Sequence, residues 1–236
     1  MPEWRVKFIE RIPRTPDIES FRFEPEEKII YAAGQFVQVL FDETNKNNRE
    51  LNKYLSLSCA PGKTHVEITK RRSNSAFCDR LWSMEKGKTV LLKGPMGHCL
   101  LNETNWKIAF LTGGIGITPV VSMLEFIMDN KLPADVWLLY SNRTEKDIAF
   151  RNELDAWSRL NHHIKVAYTV VDCPPKNTAC FSGIINENFI LQKVPDYLER
   201  IIYIFGPPGM VTSMKNLCSG IKCHPEKIKI ENFTGY

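Results

Sequence analysis

Apolar and polar residues alternate through residues 4–12 and again through residues 20–23, and residues 35–41 supply Phe36, Val37, Val39 and Leu40. A period of two marks a strand with one buried face. Residues 55–58, 66–69 and 89–93 continue the series, and one helical stretch falls near residues 76–84. The polar run 42–50 predicts a loop between strands. Six short strands with a single helix predict a small antiparallel barrel.

After about residue 105 the pattern changes. Residues 108–111 form a continuous apolar run, followed by glycines and a helical stretch over 119–129. Apolar strands at 136–140, 165–171 and 201–205 then alternate with helical patterns at 147–160, 186–192 and 208–219, and residues 227–233 add a last strand. Strands that are apolar throughout, in turn with helices, predict a parallel sheet covered on both faces. The chain therefore reads as two domains, 1–104 and 105–236.

Composition narrows the function classes. With 43% hydrophobic and 25% charged residues the chain reads as soluble and globular. A net charge of +4 is too small to suggest nucleic acid, and the short cluster Lys70-Arg71-Arg72 reads as a solvated strand edge. No apolar run reaches the ~20 residues of a membrane span, and Met1-Pro2-Glu3-Trp4-Arg5 does not resemble a signal peptide, so a cytoplasmic location is expected. The seven cysteines lack framework or metal-ligand spacing and read as free thiols, with no metal site and no iron–sulfur cluster.

The chemistry concentrates at Thr112-Gly113-Gly114-Ile115-Gly116-Ile117-Thr118-Pro119, between an apolar strand and a helix. Glycines let a backbone approach a diphosphate, and a helix N-terminus offers unpaired N–H groups with a positive dipole end. The turn is neither the G-x-G-x-x-G fingerprint, because Pro119 holds the last place, nor a Walker loop. A second constellation is Lys53-Tyr54-Leu55-Ser56-Leu57-Ser58-Cys59-Ala60-Pro61, with Gly34-Gln35-Phe36 before it and Ser75-Ala76-Phe77 after it. Each piece alone is ordinary: a strand with hydroxyls, a turn, a helix cap. Their order, followed by Gly94-Pro95-Met96-Gly97 and the glycine turn, is more specific.

With the late turn Phe205-Gly206-Pro207-Pro208-Gly209-Met210 and the tail Ile230-Glu231-Asn232-Phe233-Thr234-Gly235-Tyr236, the chain resembles the ferredoxin–NAD(P) reductase-like flavoproteins over essentially its full length. The resemblance implies an all-β antiparallel flavin-binding barrel followed by an α/β parallel-sheet nicotinamide-binding domain. It implies FAD, with FMN the less favoured flavin, and NAD(P)H as cosubstrate. Lys53 matches an arginine on the flavin diphosphate, keeping the charge but losing the bidentate fork. Ser56 matches a hydroxyl beside the hydride-accepting flavin nitrogen, and Leu57 and Ser58 continue that strand. Leu55 replaces an aromatic ring against the flavin. Ser75 and Ala76 would hold the flavin diphosphate. Thr112, Gly113, Gly114, Gly116, Thr118 and Pro119 would hold the nicotinamide diphosphate, with Gly206, Pro207, Pro208 and Met210 completing the site. Phe205 stands where the family commonly has a cysteine near the nicotinamide. Glu231 matches a carboxylate with a polar or proton-relay role, and Phe233 and Tyr236 match tail aromatics that cover the flavin.

Ser141 and Arg143 stand where the adenosine ribose is expected, which leaves NADH and NADPH both open. Thr144 and Asp147 are spaced as a helix cap and its partner. The implied activity passes electrons between NAD(P)H and a one-electron protein carrier such as ferredoxin or flavodoxin, or another redox subunit. A reductase of free flavin or small acceptors, an electron-relay subunit and a nucleotide sensor without redox activity are the alternatives.

Overall fold

Strand β1 (Glu3–Pro13) points Trp4, Val6 and Phe8 inward and Arg5 and Lys7 outward, as its alternation requires. With β2 (Ile18–Pro25), β3 (Phe36–Leu40), β4 (Asn52–Ser56), β5 (Val66–Arg71) and β6 (Thr89–Met96) it forms an antiparallel sheet ordered β4-β3-β6-β1-β2-β5. An antiparallel bridge from Leu57 to Ile68 joins the two ends of the row, so the sheet curls into the expected barrel. Phe21, Phe23, Leu57, Ile68 and Leu92 fill it, and helix α1 (Ala76–Trp82) adds Phe77 and Leu81. Burying each such side chain contributes roughly 1.5–3 kcal/mol before conformational entropy is counted.

The structure is a computed structural model that describes residues 1–101, 105–172 and 180–233, in two units. The first comprises Met1–Leu100 together with Thr118–Phe126, and the second Leu101–Ile117 and Ile127–Thr234, each over its described residues. The expected domain boundary after residue 104 touches a stretch outside the described residues.

In the second unit β7 (Lys107–Gly113), β8 (Asp135–Asn142), β9 (Ile164–Val170), β10 (Cys180–Ser182), β11 (Ile201–Gly206) and β12 (Ile228–Asn232) run parallel in the order β10-β9-β8-β7-β11-β12. The helices between them are α2 (Ile117–Asp129), α3 (Arg151–Leu160), α4 (Glu187–Lys193) and α5 (Pro208–Gly220). The order runs outward from β7 to one side and resumes with β11 on the other. A switch point of this kind places a ligand crevice at the carboxyl ends of the two central strands, here Gly113 and Gly206.

Four details depart from the sequence reading. The strand expected at 55–58 is Asn52–Ser56, because β3 pairs with those residues and Leu57 crosses to β5. Helix α2 starts at Ile117, after a 3₁₀ turn at Gly114–Gly116, and so takes Pro119 into its first turn. A proline is tolerated there because that N–H has no intrahelical partner. The helix expected over 147–160 is a 3₁₀ turn at Glu145–Asp147 and then α3, separated by Phe150 at φ 60°. The short edge strand β10 was not foreseen.

Candidate functional site

In the barrel unit, Ser75 caps α1, its Oγ accepting from the Cys78 N–H at 3.3 Å while the Ser73 hydroxyl donates to it at 3.1 Å. Nearby, Lys70 is only 6% exposed, on the strand face that also carries Ile68, so it is not the solvated edge the sequence suggested. Burial lowers its pKa, the Cys78 thiol opposes that, and the like charges of Lys53 and Arg71 lower it further. Lys53 is half-buried on β4 and pairs with no carboxylate among the described residues. Lys70 and Lys53, like charges beside a capped helix start, with Arg71 paired to Asp17 at 3.3 Å, fit an anionic group such as a diphosphate.

The other expected flavin residues divide. Ser56 is 8% exposed, and its hydroxyl makes no hydrogen bond among the described residues. Leu57 is turned into the barrel core, and its N–H donates to Gln35 O at 3.0 Å. Ser58 is bound to Thr69 Oγ1 at 2.7 Å and to Glu67 Oε1 at 3.3 Å. Both side chains are therefore structural, a correction to the sequence reading: closing the barrel through Leu57 and Ile68 turns this segment inward. Leu55 is half-buried and packs against the barrel core. Its neighbour Tyr54, which motif matching passed over, is 60% exposed and edge-on to Phe36 at 6.0 Å.

In the second unit the two glycine turns meet. Thr112 Oγ1 donates to Phe205 O at 2.9 Å. A Cβ at Gly116 would lie 2.6 Å from Phe205 O and 2.9 Å from Gly206 Cα, and one at Gly113 would lie 2.6 Å from Met210 Sδ. These two glycines are close-packing positions. Gly114 differs: its φ is +52°, a Cβ there would meet nothing within 4 Å, and its carbonyl accepts from Tyr140 OH at 2.9 Å. The open side of Gly114 is where a ligand can touch backbone. Thr118 and Pro119 are buried in the first turn of α2, while Pro207, Pro208 and Gly209 are exposed at the start of α5.

Phe205 is fully buried beside Phe110 and Tyr203, with ring centroids 6.5 and 6.2 Å away. Ser141 is half-buried at the end of β8, its carbonyl 3.2 Å from a Cβ built at Gly113. Arg143 extends into solvent and pairs with Asp172 at 3.1 Å, a partner the sequence reading did not name. Thr144 and Asp147 form the expected capping box. Among the described residues no group of His, Cys, Asp or Glu is placed to hold a metal, and the six described cysteines are free; Cys173 lies outside the described residues.

On β12, Glu231 lies in register with Phe205, and the N–H of Phe233 donates to Gly206 O at 3.0 Å. Glu231 and Phe233 are half-buried, and Tyr236 lies outside the described residues. Burial pushes the Glu231 carboxyl up to about 7 from 4.5. A carboxyl with a raised pKa holds its proton more tightly in the folded state, so its contribution is full below about pH 4.5 and is lost as pH rises through about 7. Glu231→Gln should remove that loss. Wild type should weaken relative to the variant by up to about 2 kcal/mol between pH 5 and pH 8 in urea unfolding. Parallel pH profiles would show that the carboxyl titrates normally.

Comparison with known proteins agrees with this geometry. Residues 110–216 match the oxidoreductase NAD-binding domain. The chain is 34% identical over 142 residues to an NADH nitrate reductase of Cucurbita maxima, covering 55% of this chain and 16% of that protein. It is 27% identical over 225 residues to a glycine betaine monooxygenase reductase subunit of Pseudomonas aeruginosa, covering 91% and 60%. The chain thus spans only part of the curated relatives it matches. The cytochrome b5 reductase domain of Ulva prolifera nitrate reductase superposes with a TM-score of 0.82 at 23% identity, covering 98% of this chain and 97% of that one. A cytochrome P450 reductase from Amycolatopsis superposes at 0.86 with 19% identity, covering 98% and 70%. No helix among the described residues is long and apolar enough to cross a membrane. The chain therefore shares the fold of these solved reductases, a curled antiparallel barrel followed by a parallel sheet with its glycine turns at the switch point, and its residues 110–216 match the oxidoreductase NAD-binding domain.

Proposed function

We propose that the chain is a flavin-dependent NADH oxidoreductase that passes electrons to a one-electron redox protein. Residues 1–104 would serve as the flavin domain and residues 105–236 as the nicotinamide domain. The observation that carries the reading is Gly114, an open left-handed glycine in a turn whose other two glycines are packed shut. Flavin, bound, converts a two-electron hydride into single electrons.

The residues of the chain bind and orient. Lys53, Lys70 and the Ser75 cap fit the flavin diphosphate, and FAD is favoured over FMN because the family usually holds it. Ser56 keeps a free hydroxyl to offer the flavin ring, and Tyr54 offers an aromatic face. Glu231, with a pKa near neutrality, suits a group that takes up or gives a proton at working pH. The acceptor class is supported by the names of the relatives, reductase components and domains of larger redox proteins. Ferredoxin, flavodoxin or another redox subunit remains the proposed partner.

Purified protein should be yellow, and NADH should bleach its visible band under anaerobic conditions. A colourless protein that binds no added FAD would sink the proposal and favour a nucleotide sensor.

NADH is proposed over NADPH because of the Arg143–Asp172 pair. The carboxylate neutralises the cation that would receive a 2′-phosphate and would itself repel one. Asp172→Ala should shift the ratio of kcat/KM for NADH over NADPH about tenfold toward NADPH, an effect kept small by the exposure of both groups. An unchanged ratio would place the ribose elsewhere.

A further inference from the structure

The peptide between Cys59 and Ala60, just past the proposed flavin strand, is held by side chains from a distant helix. Ser122 Oγ on α2 donates to Cys59 O at 2.6 Å, and Ala60 N–H donates to Glu125 Oε2 at 2.6 Å. The other Glu125 oxygen pairs with Lys63 at 3.1 Å. Tyr31 OH lies 3.0 Å from Cys59 O, 2.9 Å from Ala60 O and 3.1 Å from Cys59 Sγ. A phenol has one proton, so it can satisfy one of these acceptors at a time. When it serves Ala60 O, Cys59 O depends on Ser122 alone. The Cys59 thiol itself is pushed up to about 12, chiefly by burial, and is inert as a nucleophile.

We infer that Ser122 and Glu125 are positioning residues for the flavin: by fixing the Cys59–Ala60 peptide they set the direction of the segment that carries Ser56. The inference rests on the flavin reading above. Its physical basis is that β4 ends at Ser56 and the chain then has no ladder partner except the single Leu57–Ile68 bridge. Ser58 N–H to Glu67 O at 2.8 Å and Ser58 Oγ to Thr69 Oγ1 at 2.7 Å anchor the near end of this crossing, and the bonds at the Cys59–Ala60 peptide anchor its far end. Both side chains belong to the same unit as the barrel, and Ser122 is fully buried. A hydroxyl and a carboxylate on one helix face, three residues apart, match a carbonyl and the next N–H along one peptide.

The test uses the full chain with its flavin and two pairs of variants. Ser122→Ala and Glu125→Ala delete the contacts; Ser122→Thr and Glu125→Gln keep a hydroxyl and an acceptor oxygen. The alanine variants should hold flavin with an altered visible band and reduce it roughly three- to tenfold more slowly in stopped flow, with the Kd for NADH unchanged. The threonine and glutamine variants should recover both the band and the rate. Alanine variants that lose thermal stability but keep the wild-type band and rate would overturn the inference. Glu125 is partly exposed, so Glu125→Ala gives a folded protein to measure even where Ser122→Ala does not. Colourless wild-type protein would instead refute the flavin reading, and this inference with it.

Discussion

Gly114→Ala should keep its flavin and lose most of its response to NADH, whereas Gly116→Val should lose the fold around the turn. The two glycines stand two residues apart in one motif, and the structure separates them. At Gly114 an added Cβ meets no protein atom within 4 Å, so the substitution costs about 1–2 kcal/mol for the left-handed φ of +52°. On the proposed reading the methyl would instead meet the nucleotide, on the side where backbone N–H groups would contact its diphosphate. KM for NADH should rise at least about tenfold, with the unfolding midpoint close to wild type. At Gly116 the Cβ would lie 2.6 Å from Phe205 O and 2.9 Å from Gly206 Cα, both backbone atoms. The β7 and β11 ends must then separate, and the loss should reach several kcal/mol. Equal stability of the two variants in urea unfolding would refute the distinction.

Arg200→Met should cost about 3–5 kcal/mol, the range seen when one partner of a buried ion pair is removed. The side chain is 2% exposed. Its guanidinium donates to Ile108 O at 3.1 Å and Asp135 O at 2.8 Å and forks onto Asp196 at 2.6 and 2.9 Å. Asp135 adds a carboxylate at 3.3 Å. Removing the fork leaves two carbonyls and two carboxylates without it, which a methionine of similar length cannot satisfy. Arg200→Lys should recover little, because one ammonium cannot span four acceptors in that plane. These contacts lie at the amino ends of β7, β8 and β11, opposite the glycine turns. Folded Arg200→Met protein should therefore keep the wild-type KM for NADH. A loss below about 1 kcal/mol in denaturant unfolding would mean that water replaces the arginine.

Much of the architecture was legible because its signals are local. Alternation over 4–12 is a property of neighbouring residues, and β1 follows it. The continuous apolar run at 108–111 belongs to β7, buried from both sides. The capping box at Thr144 and Asp147 needs only a spacing of three. The glycine turn was found the same way, since its chemistry needs small residues between a strand and a helix. Boundaries were less legible: tertiary pairing moved β4 upstream, and Phe150 broke one expected helix into a turn and α3.

From the sequence alone came the two-part architecture, the glycine turn and the candidate residues around it, because periodicity and motif spacing act over a few residues. Tertiary structure alone decided which candidates face outward and which are structural. Leu57 and Ser58 turn inward because the chain crosses to β5 at Ile68. Lys70 is buried although it read as part of a solvated strand edge, and Arg143, read as a ribose-side cation, acquires Asp172. Ser122 reaches Cys59 across 63 positions, and Thr112 reaches Phe205 across 93. Such contacts depend on the order in which strands and helices pack. That order is set by the simultaneous burial of many distant side chains, which no local pattern records.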